Sequence, residues 1–396
     1  MRGCLNDKAT VNNCPARAPA RVLHHTERKH SKEVKIMSEE KTKKTVLDVD
    51  KNMTSTGIVA DGIRNFDIPC EPFDLYGLSY STDEGGFYRV PESVAITANE
   101  GVTVLRRNTA GGRIRFRTDS SLIRLEATYS SLCDMTHMPL TGSSGFVLVE
   151  KESGVYSHVA SMRPEHFETR GFERTEPLKG GKMREYVLYF PLYNDVDSLT
   201  LGFDETAKIE RGERYSIEKP VVYYGSSITQ GGCASRPDAS YQAIVSKWND
   251  ADFINHGFSG SARAETSMAK FLASIDASAF VMDYDYNAPS PEYLAETHFR
   301  FYKTYRARRP ETPIVMISKP SIEHDANYIR RKEIVKATFD RAREEGDKNV
   351  YFIDGSEFFP GSERGNCTVD GVHPTDLGFY YMAKRINEVV APLLKK

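Results

Sequence analysis

The chain changes rhythm at Pro220, and that change limits the folds open to it. From about 45 to 215 the apolar residues come in short runs: Val102–Val104–Leu105, Ile114–Phe116, Leu122–Ile123–Leu125, Phe146–Val147–Leu148–Val149, Tyr186–Val187–Leu188–Tyr189–Phe190 and Leu199–Leu201–Phe203. Gly85–Gly86, Gly111–Gly112, Gly142 and Gly180–Gly181 punctuate them. Short runs with turn signals between them and no long helical period predict an all-β sandwich, jelly-roll-like in organisation. After Pro220, apolar runs at 220–224, 252–255, 279–284, 313–318 and 349–353 alternate with helical stretches. In one stretch Val335, Phe339 and Ala342 share a face and Gly346 offers a stop. The last, from about Asp376, carries Phe379, Met382, Ala383, Ile386, Val390 and Leu393 on one side. Alternating strands and helices predict a parallel sheet covered on both faces, a three-layer α/β/α domain of flavodoxin-like order.

The length of 396 residues fits about two domains of ~100–200 residues each. The expected boundaries are 1–44, 45–215 and 216–396. Residues 1–44 are rich in Lys, Arg and His and lack periodic apolar positions, so disorder is expected there. Met37 would serve as an alternative start. A formal net charge of −2 and a single Trp argue against a nucleic-acid partner. No apolar run approaches the ~18 residues of a membrane span, and no short apolar leader opens the chain. Six cysteines, at 4, 14, 70, 133, 233 and 367, form no CxxC pair and are expected to stay reduced, which predicts a cytoplasmic protein. Nothing in the sequence bears on oligomeric state.

Two segments carry chemistry. Gly225–Ser226–Ser227–Ile228–Thr229–Gln230–Gly231–Gly232 follows the strand run Val221–Val222–Tyr223–Tyr224, where ligands of open α/β sheets bind. Asp370–Gly371–Val372–His373–Pro374 places a carboxylate and an imidazole three residues apart. Ser227 alone reads as a helix N-cap, Asp370–Gly371 as a turn and His373 as a loop end. Taken together they supply a nucleophile, a base and a group that orients the base, which is the chemistry of acyl transfer. Histidine suits the base because an unperturbed imidazole has a pKa of about 6.5, and Asp370 can fix the ring's tautomer. Asp283 and Asp285 form one acidic pair with no histidine close by, which does not predict a metal site. Arg236, a few residues past the nucleophile, and His137, from the β region, are candidates for substrate contact. Cys233 reads as a buried or rim thiol.

The C-terminal half resembles the SGNH, or GDSL-type, hydrolases. Gly225–Ser226–Ser227 is similar to their first block, with Ser at 226 where Asp is commoner. Asn255–His256–Gly257–Phe258–Ser259–Gly260 is similar to the second, and Asp370 with His373 to the last. Asn287 is the best match to the third, without the usual Gly two residues before. Met135–Gly142 and Gly145–Phe146 resemble the β domain that precedes the hydrolase in one bacterial branch. That branch carries Gly-x-Asp-Leu-Tyr where this chain reads Gly145–Phe146–Val147–Leu148–Val149. The resemblance implies a serine esterase acting on short acyl, often acetyl, esters of carbohydrates or other small molecules, with no cofactor or metal. It also implies an oxyanion hole from the N–H groups of Ser227 and Gly260 and the amide of Asn287. Two alternatives stand beside it. One is a carbohydrate-binding protein whose hydrolase-like domain has lost turnover. The other is a phosphate-cradling loop at 225–232, which lacks the Gly-Lys-Ser/Thr ending.

Overall fold

The computed structural model describes residues 46–50, 58, 62–165, 170–320 and 325–394. The basic segment 1–44, Met37 included, lies outside the described residues. Within Met1–Ser55 the described part is a helical turn, Val46–Val49. Residues 56–396 make one compact unit.

That unit begins with two antiparallel sheets. The outer sheet has the order Ile63–Ile68, Ser198–Asp204, Leu122–Thr128, Gly171–Pro177. The inner sheet runs Ile209–Arg211, Arg113–Thr118, Arg184–Tyr189, Phe146–Glu152, Val155–Met162, with Asp74–Tyr76 also paired to Arg113–Thr118. Strand alternation sends Ile114, Phe116, Leu148 and Leu188 from the inner sheet against Ile123, Leu125, Leu201 and Phe203 from the outer one. Phe116 and Phe203 meet edge to face with centroids 5.5 Å apart. One expected strand is a helix instead: Val102 and Leu105 belong to Glu100–Leu105. Asn99 caps it by accepting a hydrogen bond from Val102 N, and Val102 is buried while Val104 is 65 % exposed. A polar cap and helical spacing outweigh the β preference of valine there.

The second part is a five-stranded parallel sheet of β1 (Ile217–Gly225), β2 (Ala251–Gly257), β3 (Ala279–Asp283), β4 (Ile314–Ile317) and β5 (Val350–Ile353). Its order is β2-β1-β3-β4-β5, the expected flavodoxin-like arrangement. The helices are α1 (Ser227–Gln230), α2 (Tyr241–Asn249), α3 (Thr266–Leu272), α4 (Pro291–Arg308), α5 (Ala326–Glu344) and α6 (Asp376–Val390). Val221, Tyr223, Val281 and Val315 pack with Tyr241 and Val245 of α2 and Phe379, Met382 and Ile386 of α6. Val222, Tyr224, Phe280, Met282 and Met316 pack the opposite face with residues of α3, α4 and α5. Gly346, at φ +92°, terminates α5 as expected. The N–H groups of Gly346 and Asp347 close back on the carbonyls of Arg343 and Ala342, which satisfies two orphan acceptors. Leu393, expected on the α6 face, falls in the short turn Ala391–Leu393 beyond it.

The central strands of the inner β-sheet are buried on both faces. The sheet's second face carries Val147, Val149, Val187 and Tyr189, which share a cluster with Val221, Tyr223 and Phe253 of the parallel sheet. Arg113 and Arg115 lie on that face with no side-chain exposure. Arg113 donates to the carbonyls of Gly111 (2.6 Å) and Phe253 (3.0 Å) and to the Tyr215 hydroxyl (2.7 Å), and pairs with Asp252. Arg115 pairs with Glu185 at 3.3 Å and Asp250 at 3.4 Å. Breaking a buried pair by removing one partner costs about 3–5 kcal/mol.

Candidate active site

β1 ends at Gly225, where a Cβ would overlap the hydroxyl of Thr229 and the carbonyl of Asp283. The chain turns at once into α1. Ser226 is the N-cap: its hydroxyl accepts from Ile228 N at 3.2 Å and its own N–H donates to the Asp283 carbonyl at 3.1 Å. Capping is therefore done by Ser226, which leaves the Ser227 hydroxyl free for chemistry. Asp, the commoner family residue at that position, is an equally good cap, so the departure keeps the turn.

The Ser227 hydroxyl meets His373 Nε2 at 2.9 Å, and His373 Nδ1 meets Asp370 Oδ2 at 2.8 Å. The second oxygen of Asp370 accepts the N–H groups of Val372 (3.0 Å) and His373 (2.8 Å). Gly371 at φ +84° closes this loop. Burial pushes the Asp370 carboxyl up, but those backbone and ring hydrogen bonds outweigh it and hold it at about 2. It is ionised throughout the neutral range and fixes the proton of His373 on Nδ1. Thus the three residues 227, 370 and 373 are brought into one hydrogen-bonded chain.

Gly260 sits in the turn after β2 with φ +66° and is exposed. Asn287 closes the short turn Asp285–Asn287 after β3, and its Oδ1 accepts a long bond from Ala262 N at 3.4 Å. Ser227, Gly260 and Asn287 thus stand beyond the carboxyl ends of β1, β2 and β3. Arg236 is engaged with Asp238 at 3.2 Å, and Lys247 reaches the same carboxylate at 3.1 Å. His137 is exposed, with its ring 5.9 Å from that of His373. His137, Cys233 and His373 place three donor atoms within 4.8 Å of one another, the one such His/Cys-containing group among the described residues.

Several residues around the site escaped the sequence reading. Gln230 is fully buried. Its amide donates to Asn108 Oδ1 (3.0 Å) and the Leu192 carbonyl (3.2 Å), and its oxygen accepts the N–H of Ser259 (2.9 Å), beside Gly260. Asn255 donates to the Thr229 carbonyl at 2.8 Å and accepts from Gly257 N at 2.8 Å. The Tyr193 hydroxyl donates to the Ser227 carbonyl at 3.3 Å. A Gln inside the run Ile228–Thr229–Gln230–Gly231 was the available signal, since a buried amide needs several partners. Asp283 lies under the nucleophile and accepts from Thr229 (2.9 Å) and Tyr241 (3.1 Å). Burial, then the neighbouring Asp285, push its carboxyl up to about 8. Asp285 accepts the N–H of Lys319 at 3.1 Å. Both acids serve the loops. His256, in the second block, is driven to about 3 by burial and then by Arg89, so it stays neutral.

The approach of β2 to α1 is close enough to test. A Cβ on Gly257 would land on the backbone N of Gln230 and the Thr229 carbonyl carbon. Gly257→Ala is expected to destabilise the protein by about 1–3 kcal/mol or more and to lower kcat as α1 is displaced. Urea unfolding beside steady-state kinetics reads both; an unchanged midpoint would refute the tight packing.

Comparisons with known proteins bear on the family and the fold. Residues 218–391 match the GDSL-like Lipase/Acylhydrolase family, and residues 66–209 match the N-terminus of Esterase_SGNH_hydro-type proteins. A Bacteroides ovatus ATCC 8483 protein assigned as a GDSL-like lipase superimposes with a TM-score of 0.76 at 30% identity, covering 84% of this chain and 99% of its own. The salicylyl-acyltransferase SsfX3 of a tetracycline biosynthetic pathway gives 0.69 at 18% identity, over 85% and 98% of the two chains. An acetyl xylan esterase, Est2A, of the rumen bacterium Butyrivibrio proteoclasticus gives 0.51 at 13% identity, over 83% and 98%. These last two show a shared fold. No curated protein gives a significant match to the sequence. The chain belongs to the SGNH, or GDSL-type, hydrolases, and it is an ester hydrolase of that family.

Proposed function

We propose that the protein is a serine esterase that removes short acyl groups, acetyl foremost, from carbohydrate esters through an acyl-enzyme. The observation that carries this reading is the unbroken chain from the Ser227 hydroxyl to His373 Nε2, 2.9 Å, and from His373 Nδ1 to Asp370, 2.8 Å. In the first half-reaction Ser227 Oγ attacks the ester carbonyl while its proton passes to His373 Nε2. The imidazolium so formed is stabilised by Asp370 and returns the proton to the departing alcohol. Water then takes the place of the alcohol, gives a proton to His373 and attacks the acyl carbon, which releases the acid and regenerates Ser227. The negative oxygen of each tetrahedral intermediate falls to the N–H groups of Ser227 and Gly260 and the amide of Asn287. Each such donor is worth about 10²–10³ in rate. Arg236 and His137 remain the proposed substrate contacts, with His137 at the mouth.

The carbohydrate reading draws support from the acetyl xylan esterase neighbour and from Tyr286. That ring is 41 % exposed beside Asn287, with Lys319 Nζ 3.6 Å from its centroid. A supported, half-open aromatic face suits the apolar side of a sugar. Tyr286→Ala should raise KM for an acetylated oligosaccharide about 2- to 10-fold, the equivalent of 0.5–1.5 kcal/mol of aromatic contact. It should leave 4-nitrophenyl acetate unaffected; equal effects on both substrates would remove Tyr286 from sugar binding. Scattered cysteines with no CxxC pair support a cytoplasmic site of action, and among the described residues Cys70, Cys133, Cys233 and Cys367 are free thiols. Among the described residues no helix is long and apolar enough to cross a membrane. The deciding experiment is acetate release from 4-nitrophenyl acetate and a panel of acetylated sugars. Tight glycan binding with no turnover would instead favour a non-catalytic binding protein.

A further inference from the structure

We propose that the mouth of the active site also binds a thiophilic divalent cation of the Zn²⁺ class, held by His137, Cys233 and His373, and that its occupancy switches the esterase off. The proposal rests on the esterase reading only for its effect on turnover; cation binding stands by itself.

The three side chains come from separate parts of the fold. His137 lies in the turn before the short helix Leu140–Ser143 of the β half. Cys233 follows the nucleophile helix α1, at φ +72°, and His373 precedes α6. Their donor atoms all lie within 4.8 Å of one another. A tetrahedral Zn²⁺ with Zn–N of about 2.0 Å and Zn–S of about 2.3 Å sets its donors roughly 3.5 Å apart, so the cluster needs to tighten by about 1 Å. The exposed His137 is free to supply that movement, whereas Cys233, 5 % exposed, is the fixed corner.

The donor chemistry selects the cation. Two imidazoles and a thiolate suit Zn²⁺ and leave a fourth position for water or the Ser227 hydroxyl. A set with no carboxylate or carbonyl oxygen does not suit Mg²⁺ or Ca²⁺. His373 is also already prepared as a ligand. Asp370 holds the Nδ1 proton, so the Nε2 lone pair points outward, and a carboxylate behind a histidine is the usual support of a metal-bound imidazole. That lone pair is the one that must accept the Ser227 proton. Cation binding and general-base catalysis therefore exclude each other. On binding, the Cys233 S–H bond breaks as the metal–sulfur bond forms, its proton goes to solvent, and no redox change occurs. No step of ester hydrolysis calls on Cys233.

The test uses the full chain in metal-free buffer, with ZnCl₂ titrated by calorimetry and 4-nitrophenyl acetate turnover followed in parallel. One Zn²⁺ per chain should bind, abolish turnover and be reversed by a chelator, while Mg²⁺ does neither. Ser227→Ala should bind Zn²⁺ as the wild type does. Cys233→Ala should keep basal turnover yet bind Zn²⁺ at least about 100-fold more weakly, beyond the 10–100-fold typical of losing an outer partner. Co²⁺ bound in place of Zn²⁺ should show a thiolate charge-transfer band that Cys233→Ala lacks. Should Cys233→Ala misfold, weaker Zn²⁺ binding by His137→Ala reads the same site. Equal Zn²⁺ inhibition of wild type and Cys233→Ala, or a cobalt spectrum with no thiolate band, overturns the proposal. An apo protein that turns over no ester leaves the calorimetric and cobalt tests intact and counts against the esterase reading alone.

Discussion

Replacing Ser227 by alanine is expected to lower kcat on an activated acetyl ester by at least about 10⁴-fold while the protein stays folded. The size follows from the loss of the covalent route: without Oγ the acyl group has no acceptor, and His373 has no proton to take. The intact fold follows from the division of labour between adjacent serines. Ser226 caps α1 and bonds to β3, whereas the Ser227 hydroxyl is turned to His373 and takes no part in the cap. The measurement is steady-state turnover beside a thermal melt, with mass-spectrometric detection of an organophosphonate adduct. Wild-type protein should gain one adduct, on Ser227, and the variant none. A variant that keeps wild-type turnover would remove Ser227 from the mechanism.

The second large effect is expected at Asp370. Asp370→Asn preserves size and should reduce kcat by about 10³–10⁴-fold, because it changes which nitrogen of His373 holds the proton. One carboxylate oxygen is already claimed by the N–H groups of Val372 and His373. In the amide, the carbonyl oxygen must take that place, so the NH₂ faces the ring. His373 Nδ1 then has to accept, its proton moves to Nε2, and Nε2 can no longer take a proton from Ser227. Kinetics will show a fall in kcat and kcat/KM together, since substrate contacts are untouched. A variant within ten-fold of wild type would mean that the imidazole is oriented by something other than Asp370.

These residues were unequally legible in the sequence. Asp370 and His373 lie three apart in one turn, so their pairing could be read from local spacing. Ser227 lies 146 positions from His373, and what revealed it was its place after a buried strand. The parallel sheet was legible for the same reason: each strand is a short, continuous apolar run, and the helices between them have their own period. The sandwich strands were legible as alternation, but not their partners, because pairing brings Ile63 to Asp204 and Leu122 to Pro177. Val102–Leu105 was misread because two valines suggest a strand while the deciding contact is a single cap from Asn99. Gln230 was missed because its value lies in partners at 108, 192 and 259.

Arg113 and Arg115 show a different limit. Along Arg113–Ile114–Arg115–Phe116 the alternation reads as one apolar face and one wet face, yet the arginine face is dry. These two guanidinium groups, with Asp250 and Asp252 at the start of the strand that leads to Gly260, weld the β half to the catalytic half. For protein engineering the consequence is concrete. The hydrolase segment cannot be lifted out and fused to a different β domain as an interchangeable cassette. Cutting near residue 216 would bare the apolar flank of the catalytic sheet and orphan two acids, so any transplant has to carry the sandwich with it.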